Sequence, residues 1–268
     1  MKPLPALFLL SFLFSCSAVR ETEGALPSGM IFQLASPQCR VDSVLFVNSA
    51  LLSLELDYPD VAIRYTDNGE DVSLNSRLYT GPIRVSTSGA IHARAFHPDF
   101  LPSEIVSRQV RKISAAALNA SVAVHPEPHS SYPGNGPRSL VDLQKGSAAF
   151  RNGNYWMGFQ ADTVDISLSL DTEKPVGLVT LSVLEDNDSW IFLPRSAEVF
   201  VDGKLVGRKD WPASTSPGTS ALQFLEIPVA GTTGSTIQVR VANWPSIPDW
   251  HPGKGTPPWF FIDELLIN

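Results

Sequence analysis

Residues Asn243 to Asn268 read NWPSIPDWHPGKGTPPWFFIDELLIN, and this stretch decides the fold class. Its first part crowds three tryptophans (Trp244, Trp250, Trp259) and five prolines into a short span. Proline fixes φ and removes a backbone donor, so such a run forms neither a helix nor a regular ladder. The segment that follows, Phe261 to Ile267, places apolar side chains at close to every second position around the polar pair Asp263-Glu264. That is the pattern of a strand. A stiff aromatic loop that delivers the chain into a closing strand predicts an all-β protein built of sandwiches.

Working outward, residues 138–268 read as one domain, and all six tryptophans lie within it. Strands are legible at Val164–Leu170, Gly177–Glu185, Glu198–Asp202, Lys204–Arg208, Leu222–Val229, Thr236–Ala242 and Phe260–Ile267. Asp202-Gly203 between two apolar runs is a two-residue hairpin signal. Seven or eight antiparallel strands with long aromatic loops predict a jelly-roll sandwich. Residues 113–137, Ala-rich and then Pro-rich, read as a linker or edge segment. Residues 30–112 carry shorter strands and turns, among them the Asn68-Gly69 turn, and form a second, smaller sandwich.

Composition narrows the function. A net charge of −7 with no basic run excludes nucleic acid as a partner, because phosphate must be neutralised by Lys and Arg. Lys2 followed by the apolar run Leu4 to Phe14 describes an export signal over residues 1–15, too short to span a bilayer. Cys16, directly after Leu13-Phe14-Ser15, resembles the acylated cysteine of a bacterial lipobox. The expected arrangement is a membrane-anchored lipoprotein, exported, with residues 16–29 as tether. Cys39 is then the one remaining thiol, and it reads as a small buried apolar residue rather than a nucleophile.

Two resemblances follow from particular residues. Ile63-Arg64-Tyr65-Thr66-Asp67-Asn68-Gly69, Leu78-Tyr79-Thr80-Gly81-Pro82-Ile83 and Ile91-His92-Ala93-Arg94-Ala95-Phe96 resemble the immunoglobulin-like C-terminal domain of chitobiases and β-hexosaminidases, with Val72-Ser73 standing where that family has Pro-Thr. Leu140-Val141-Asp142, Gly146-Ser147 and Tyr155-Trp156-Met157-Gly158-Phe159 resemble the opening of a discoidin (coagulation factor V/VIII type C) domain. The runs Ser189 to Pro194 and Asp249 to Glu264 are similar to the terminal domain of bacterial β-hexosaminidases. The resemblance implies the accessory part of such enzymes without the catalytic barrel.

No catalytic residue is expected. A glycosidase needs opposed carboxylates, and Asp263-Glu264 are strand neighbours whose side chains would leave on opposite faces. No nucleophile elbow, zinc-protease motif or phosphate loop occurs either. The resemblance implies a structural Ca²⁺, with Asp142 and Glu264 as side-chain ligands and oxygens around Ser147, Lys145 and Asn152 completing the shell. For sugar, indole faces stack on pyranose C–H faces while carboxylates and amides meet hydroxyls. Trp190 and Trp250 are the platform candidates, with Asp188, Asp249, His251 and Asn243 as polar partners; Trp156 and Trp259 read as core. The function expected is non-catalytic binding of a glycan, the resemblance pointing to N-acetylhexosamine. The competing class is a module that packs against a partner enzyme or surface protein.

Overall fold

The computed structural model describes residues 32–152, 154–215 and 217–268. The signal segment, the tether and Cys16 lie outside the described residues. The fold is all-β, with two sandwiches in series.

The first contains β1 (Gln38–Val41), β2 (Leu45–Phe46), β3 (Ala50–Glu55), β4 (Ala62–Thr66), β5 (Arg77–Leu78), β6 (Ile83–Val85), β7 (Gly89–Phe96) and β8 (Val106–Lys112). A three-stranded sheet, β1-β3-β6, faces a five-stranded one, β2-β8-β7-β4-β5. Alternation does the sorting, since β3 buries Ala50, Leu52 and Leu54 while Leu51 and Glu55 stay out. Ile91, Ala93, Tyr65 and Cys39 complete this core, so Tyr65 and Cys39 are packing residues. Gly69 adopts φ +79°, the left-handed value a tight turn requires after β4.

The second sandwich is built from β9 (Ser121–His125), β10 (Met157–Phe159), β11 (Thr163–Asp186), β12 (Ser196–Val201), β13 (Lys204–Asp210), β14 (Ser220–Ala242) and β15 (Phe260–Ile267). Here the structure departs from the sequence reading in an informative way. The four strands read at 164–170, 177–185, 222–229 and 236–242 are two continuous ones, β11 and β14, paired along nearly their whole length. Register shifts between Ser169 and Lys174 and between Val176 and Leu178 bend the ribbon. Side-chain parity records the bend: Val164, Ile166 and Leu168 point into the core before it, Val179, Leu181 and Val183 after it. The first half of β11 and second half of β14 lie in one layer with β9, β12 and β13; the remaining halves lie in the other with β15 and β10. The two layers share one apolar core.

The segment read as linker or edge is an edge: β9 pairs with β11 from Ser121 to His125. Asp202 (φ +47°) and Gly203 (φ +79°) close the β12–β13 hairpin that the dipeptide predicts. Across β10 and β15, Gly158 faces Phe261, and a Cβ on Gly158 would lie 2.5 Å from that ring. Glycine there makes room for an aromatic ring lying over the sheet.

The sandwiches meet in a small apolar cluster of Leu45, Ile113 and Leu266, with Val44, Leu143 and Phe224 packed against it. Around it Arg111 Nη1 pairs with Glu226 Oε1 at 2.8 Å, and Ser114 N donates to Asn268 Oδ1 at 2.7 Å.

Candidate functional site

The second sandwich carries two polar clusters, one at a loop end and one beneath its outer sheet face. The first starts where β11 ends. Asp186 Oδ1 accepts from Ser189 N and caps a single 3-10 turn, Asn187–Ser189. Trp190 follows in the left-handed conformation, φ +65° and ψ +20°. That conformation costs a non-glycine residue roughly 1–2 kcal/mol, so it persists only where its surroundings impose it. They do: Trp190 N donates to Asn187 O (3.0 Å), Trp190 O accepts from Trp259 N (2.8 Å), and Asp186 and Ile191 exchange both backbone bonds. The indole is turned outward, 41 % exposed. Gly253 backs it so closely that a Cβ there would stand 2.9 Å from Trp190 Cε2.

His251 lies behind this platform. Its ring meets Trp190, Trp250 and Phe192 edge-on, with centroids 6.1, 5.4 and 5.6 Å away. It is buried, and both nitrogens are engaged: Nε2 with Asn187 O at 2.8 Å, Nδ1 with Gly253 N at 2.9 Å. The expectation that His251 binds ligand directly is therefore corrected, because no ring nitrogen is left for a hydroxyl. Asn243 is corrected likewise; it is buried and donates to Ala161 O. Trp250 is half-buried, its Nε1 donating to Ser214 O at 3.0 Å, so its indole knits loops together more than it faces outward. Asp188 and Asp249 are exposed on the flanking turns. Trp156 is fully buried and Trp259 packs against Phe261 and Tyr132, the core roles expected of them.

Beneath these loops lies a residue that sequence reasoning passed over. Glu185 is buried at the end of β11, where Gln223 Nε2 donates to Oε2 at 2.6 Å. Burial pushes its carboxyl above the usual range, and hydrogen bonds from Ser214, Asn187 and Gln223 pull partly back. A lone Glu at the polar end of a strand carries no sequence signal of such burial.

The second cluster corrects the reading of Asp263-Glu264 as neighbours on opposite faces. Ser182 pairs with Glu264 and Val183 with Ile262, so Asp263 is the extra residue of a β-bulge. Phe260 and Ile262 point into the core before it, Leu265 and Ile267 after it. Both carboxylates consequently leave the same, outer face, and both are 0 % exposed. Asp263 Oδ2 accepts from Lys145 Nζ at 2.8 Å and from Gly146 N at 2.6 Å. Lys145 also sits over the Trp156 ring, 4.8 Å from its centroid. Glu264 comes within hydrogen-bonding reach of Asp142, and its carboxyl is pushed up to about 9, by burial first and then by the charges of Asp263 and Asp142. No hydroxyl or N–H of the described residues donates to either Glu264 oxygen. The two residues expected to share a cation, 122 positions apart (264 − 142), are thus brought together. Two facing carboxyls with no donor between them accommodate a shared proton or a cation. Among the described residues no group of three or more His, Cys, Asp or Glu side chains converges as a metal site, and Asp263 is already engaged by Lys145 and Gly146.

The comparisons with known proteins each cover part of the chain. Solved structures similar to about half of the chain include chitosan-binding module 1 derived from a chitosanase/glucanase of Paenibacillus sp. IK-5, at 15% identity over 57% of this chain and 96% of that one, with a TM-score of 0.34. Another is the CBM32 of AlyQ in complex with 4,5-unsaturated mannuronic acid, at 19% identity, 55% and 93% coverage and a TM-score of 0.31. A third is CpGH89CBM32-6 of Clostridium perfringens, at 13% identity, 56% and 92% coverage and a TM-score of 0.34. At such identities and scores neither ligand nor site residue is carried over. No curated protein matches the chain. Residues 45–107, inside the span 30–112 on which the resemblance was seen, match the family model of the chitobiase/β-hexosaminidase C-terminal domain.

Proposed function

We propose that this chain is a non-catalytic carbohydrate-binding module, with Trp190 as its stacking platform and Asp188 and Asp249 as flanking partners for sugar hydroxyls. The observation that carries the reading is the left-handed, outward-turned Trp190, braced from behind by Gly253 and His251. An exposed indole is common; an exposed indole bound into a costly backbone conformation is an arrangement that a folding role does not require. Pyranose rings stack on such a surface. The matched family model, named for enzymes of the chitobiase and β-hexosaminidase type, supports N-acetylhexosamine-containing glycans as the ligand class. Retention of such glycans on an array by the chain from Arg20 onward is the expected result. A blank array, with and without Ca²⁺, ends this reading.

A second reading has its own observation. Phe32, Tyr58, Leu74 and Leu101 of the first sandwich are all exposed, and the Tyr58, His97 and Phe100 rings cluster there. Exposed apolar side chains in one domain suit packing against a partner enzyme or surface protein. A blank array together with specific capture of one such protein would favour it.

We further propose that Asp142 and Glu264 hold a structural Ca²⁺, with Ser147 and backbone oxygens near Lys145 and Asn152 as further donors. The ion would neutralise the surplus carboxylate charge and fix the segment after Asp142 against β15. At a hundredfold excess over Kd it is expected to stabilise the fold by about 2.7 kcal/mol, or roughly 5–10 °C in melting temperature. Glu264→Gln should abolish that response. Identical melting in Ca²⁺ and in chelator removes the proposal. Export and anchoring through an acylated Cys16 complete the proposed function; fatty-acid labelling lost in Cys16→Ala is its test.

A further inference from the structure

Resting on the reading of Trp190 as the platform, we propose that His251 is a positioning residue whose neutral form clamps the platform and whose protonation releases it. The geometry assigns the tautomer. Gly253 N donates to Nδ1, so Nδ1 must carry a lone pair; Nε2 then carries the hydrogen and donates to Asn187 O. Asn187 O is also the acceptor for Trp190 N, the bond that closes the turn and sets the left-handed backbone. Gly253 is the residue lying against the indole face. One imidazole therefore grips Trp190 twice, through the carbonyl that fixes its backbone and through the glycine that supports its ring.

A second proton on the ring would place Nδ1–H against Gly253 N–H, donor against donor. At 5 % exposure no bulk water stands ready to accept either hydrogen. Relief requires the His251–Thr256 loop to move, and Gly253 moves with it. Charged residues flank the clamp at Glu185, Asp186 and Asp188 on the β11 side and at Asp249 and Lys254 on the loop of His251 itself, and Arg151 Nη2 donates to Ser189 Oγ on the turn that carries Asn187; the rings in contact are Trp190, Phe192 and Trp250. Glu185 reaches the clamp through Asn187 and Ser214, so it must be separated experimentally. The device would release ligand on acidification.

The experiment follows the Trp190 indole N–H signal and the affinity for a trisaccharide of N-acetylglucosamine between pH 7.5 and 5.0. For the unaltered chain and for Glu185→Gln, the indole signal should shift and binding should weaken roughly tenfold, the loss of one hydrogen bond with its donor clash. His251→Asn, whose Oδ1 can still accept from Gly253 N, should show neither change. A shift that persists in His251→Asn, or one that vanishes in Glu185→Gln, overturns the proposal. Should His251→Asn fail to fold, the tautomer decides: an Nδ1–H imidazole at pH 7.5 in the nitrogen spectrum also overturns it. A pH-dependent Trp190 signal with no trisaccharide binding at any pH would uphold the clamp and sink the glycan reading.

Discussion

Replacing Lys145 by methionine is expected to cost about 3–5 kcal/mol of folding stability, a large change for one side chain. The reason is the position of its partner. Asp263 has no solvent-accessible surface, and its Oδ2 is satisfied by two donors, Lys145 Nζ and Gly146 N. Methionine keeps the aliphatic stem over Trp156 and Phe224 but withdraws the ammonium. Asp263 would then lie buried beside Glu264 with one backbone donor and no counter-charge. Burial already raises the Asp263 carboxyl, and Lys145 is the first influence that lowers it. A carboxyl that cannot retain its charge takes up a proton instead, which caps the penalty. Urea denaturation measures the effect, and Asp263→Asn in the Lys145→Met background should recover most of it. A loss below about 1 kcal/mol would mean that the pair contributes no more than an exposed one.

Trp190→Ala is expected to remove glycan binding without unfolding the protein. A single shallow platform gives weak affinity, on the order of 0.1–1 mM. Loss of about 1.5 kcal/mol of stacking weakens that more than tenfold, past what titration calorimetry detects. The fold should tolerate the change, because the indole is 41 % exposed and its removal leaves no sealed cavity. Relief of the left-handed strain is small for alanine, which pays the same backbone cost. Trp250→Ala should behave differently: it removes the bond to Ser214 O and a ring packed on Phe192 and His251, so stability falls along with binding. Retained affinity in Trp190→Ala would place the sugar elsewhere.

The comparison of these two tryptophans shows how far the sequence could be read. Both sit in polar, turn-rich runs, and nothing in the local pattern separates the exposed indole from the one used as a strut. The Pro-rich loop folds back on itself, with Ile247 N bonded to Thr256 O and Gly255 N to Ile247 O, and that closure buries His251. Long-range pairing of this kind leaves no periodic trace. The fold class was legible because alternation and turn residues are local: Asp202-Gly203 marks its hairpin and β3 its buried face. The bulge at Asp263 was not, since a one-residue slip is defined by the partner strand rather than by the strand itself. Asp142 and Glu264 came from family resemblance alone; no spacing rule connects residues so distant in the chain.

The continuity of β11 and β14 through both layers has a consequence for how the molecule assembles. Neither layer can form by itself, because each half of the ribbon is covalently the edge of the other. The ribbon joins Thr163 to Ala242 at one end and Asp186 to Ser220 at the other. Its outer pairings close far longer loops than its inner ones, so zippering from the 186–220 end is the entropically cheaper route. The last contacts made would then be those of β9 and the first half of β11. A chain interrupted there would present its stacking loops before its base was complete.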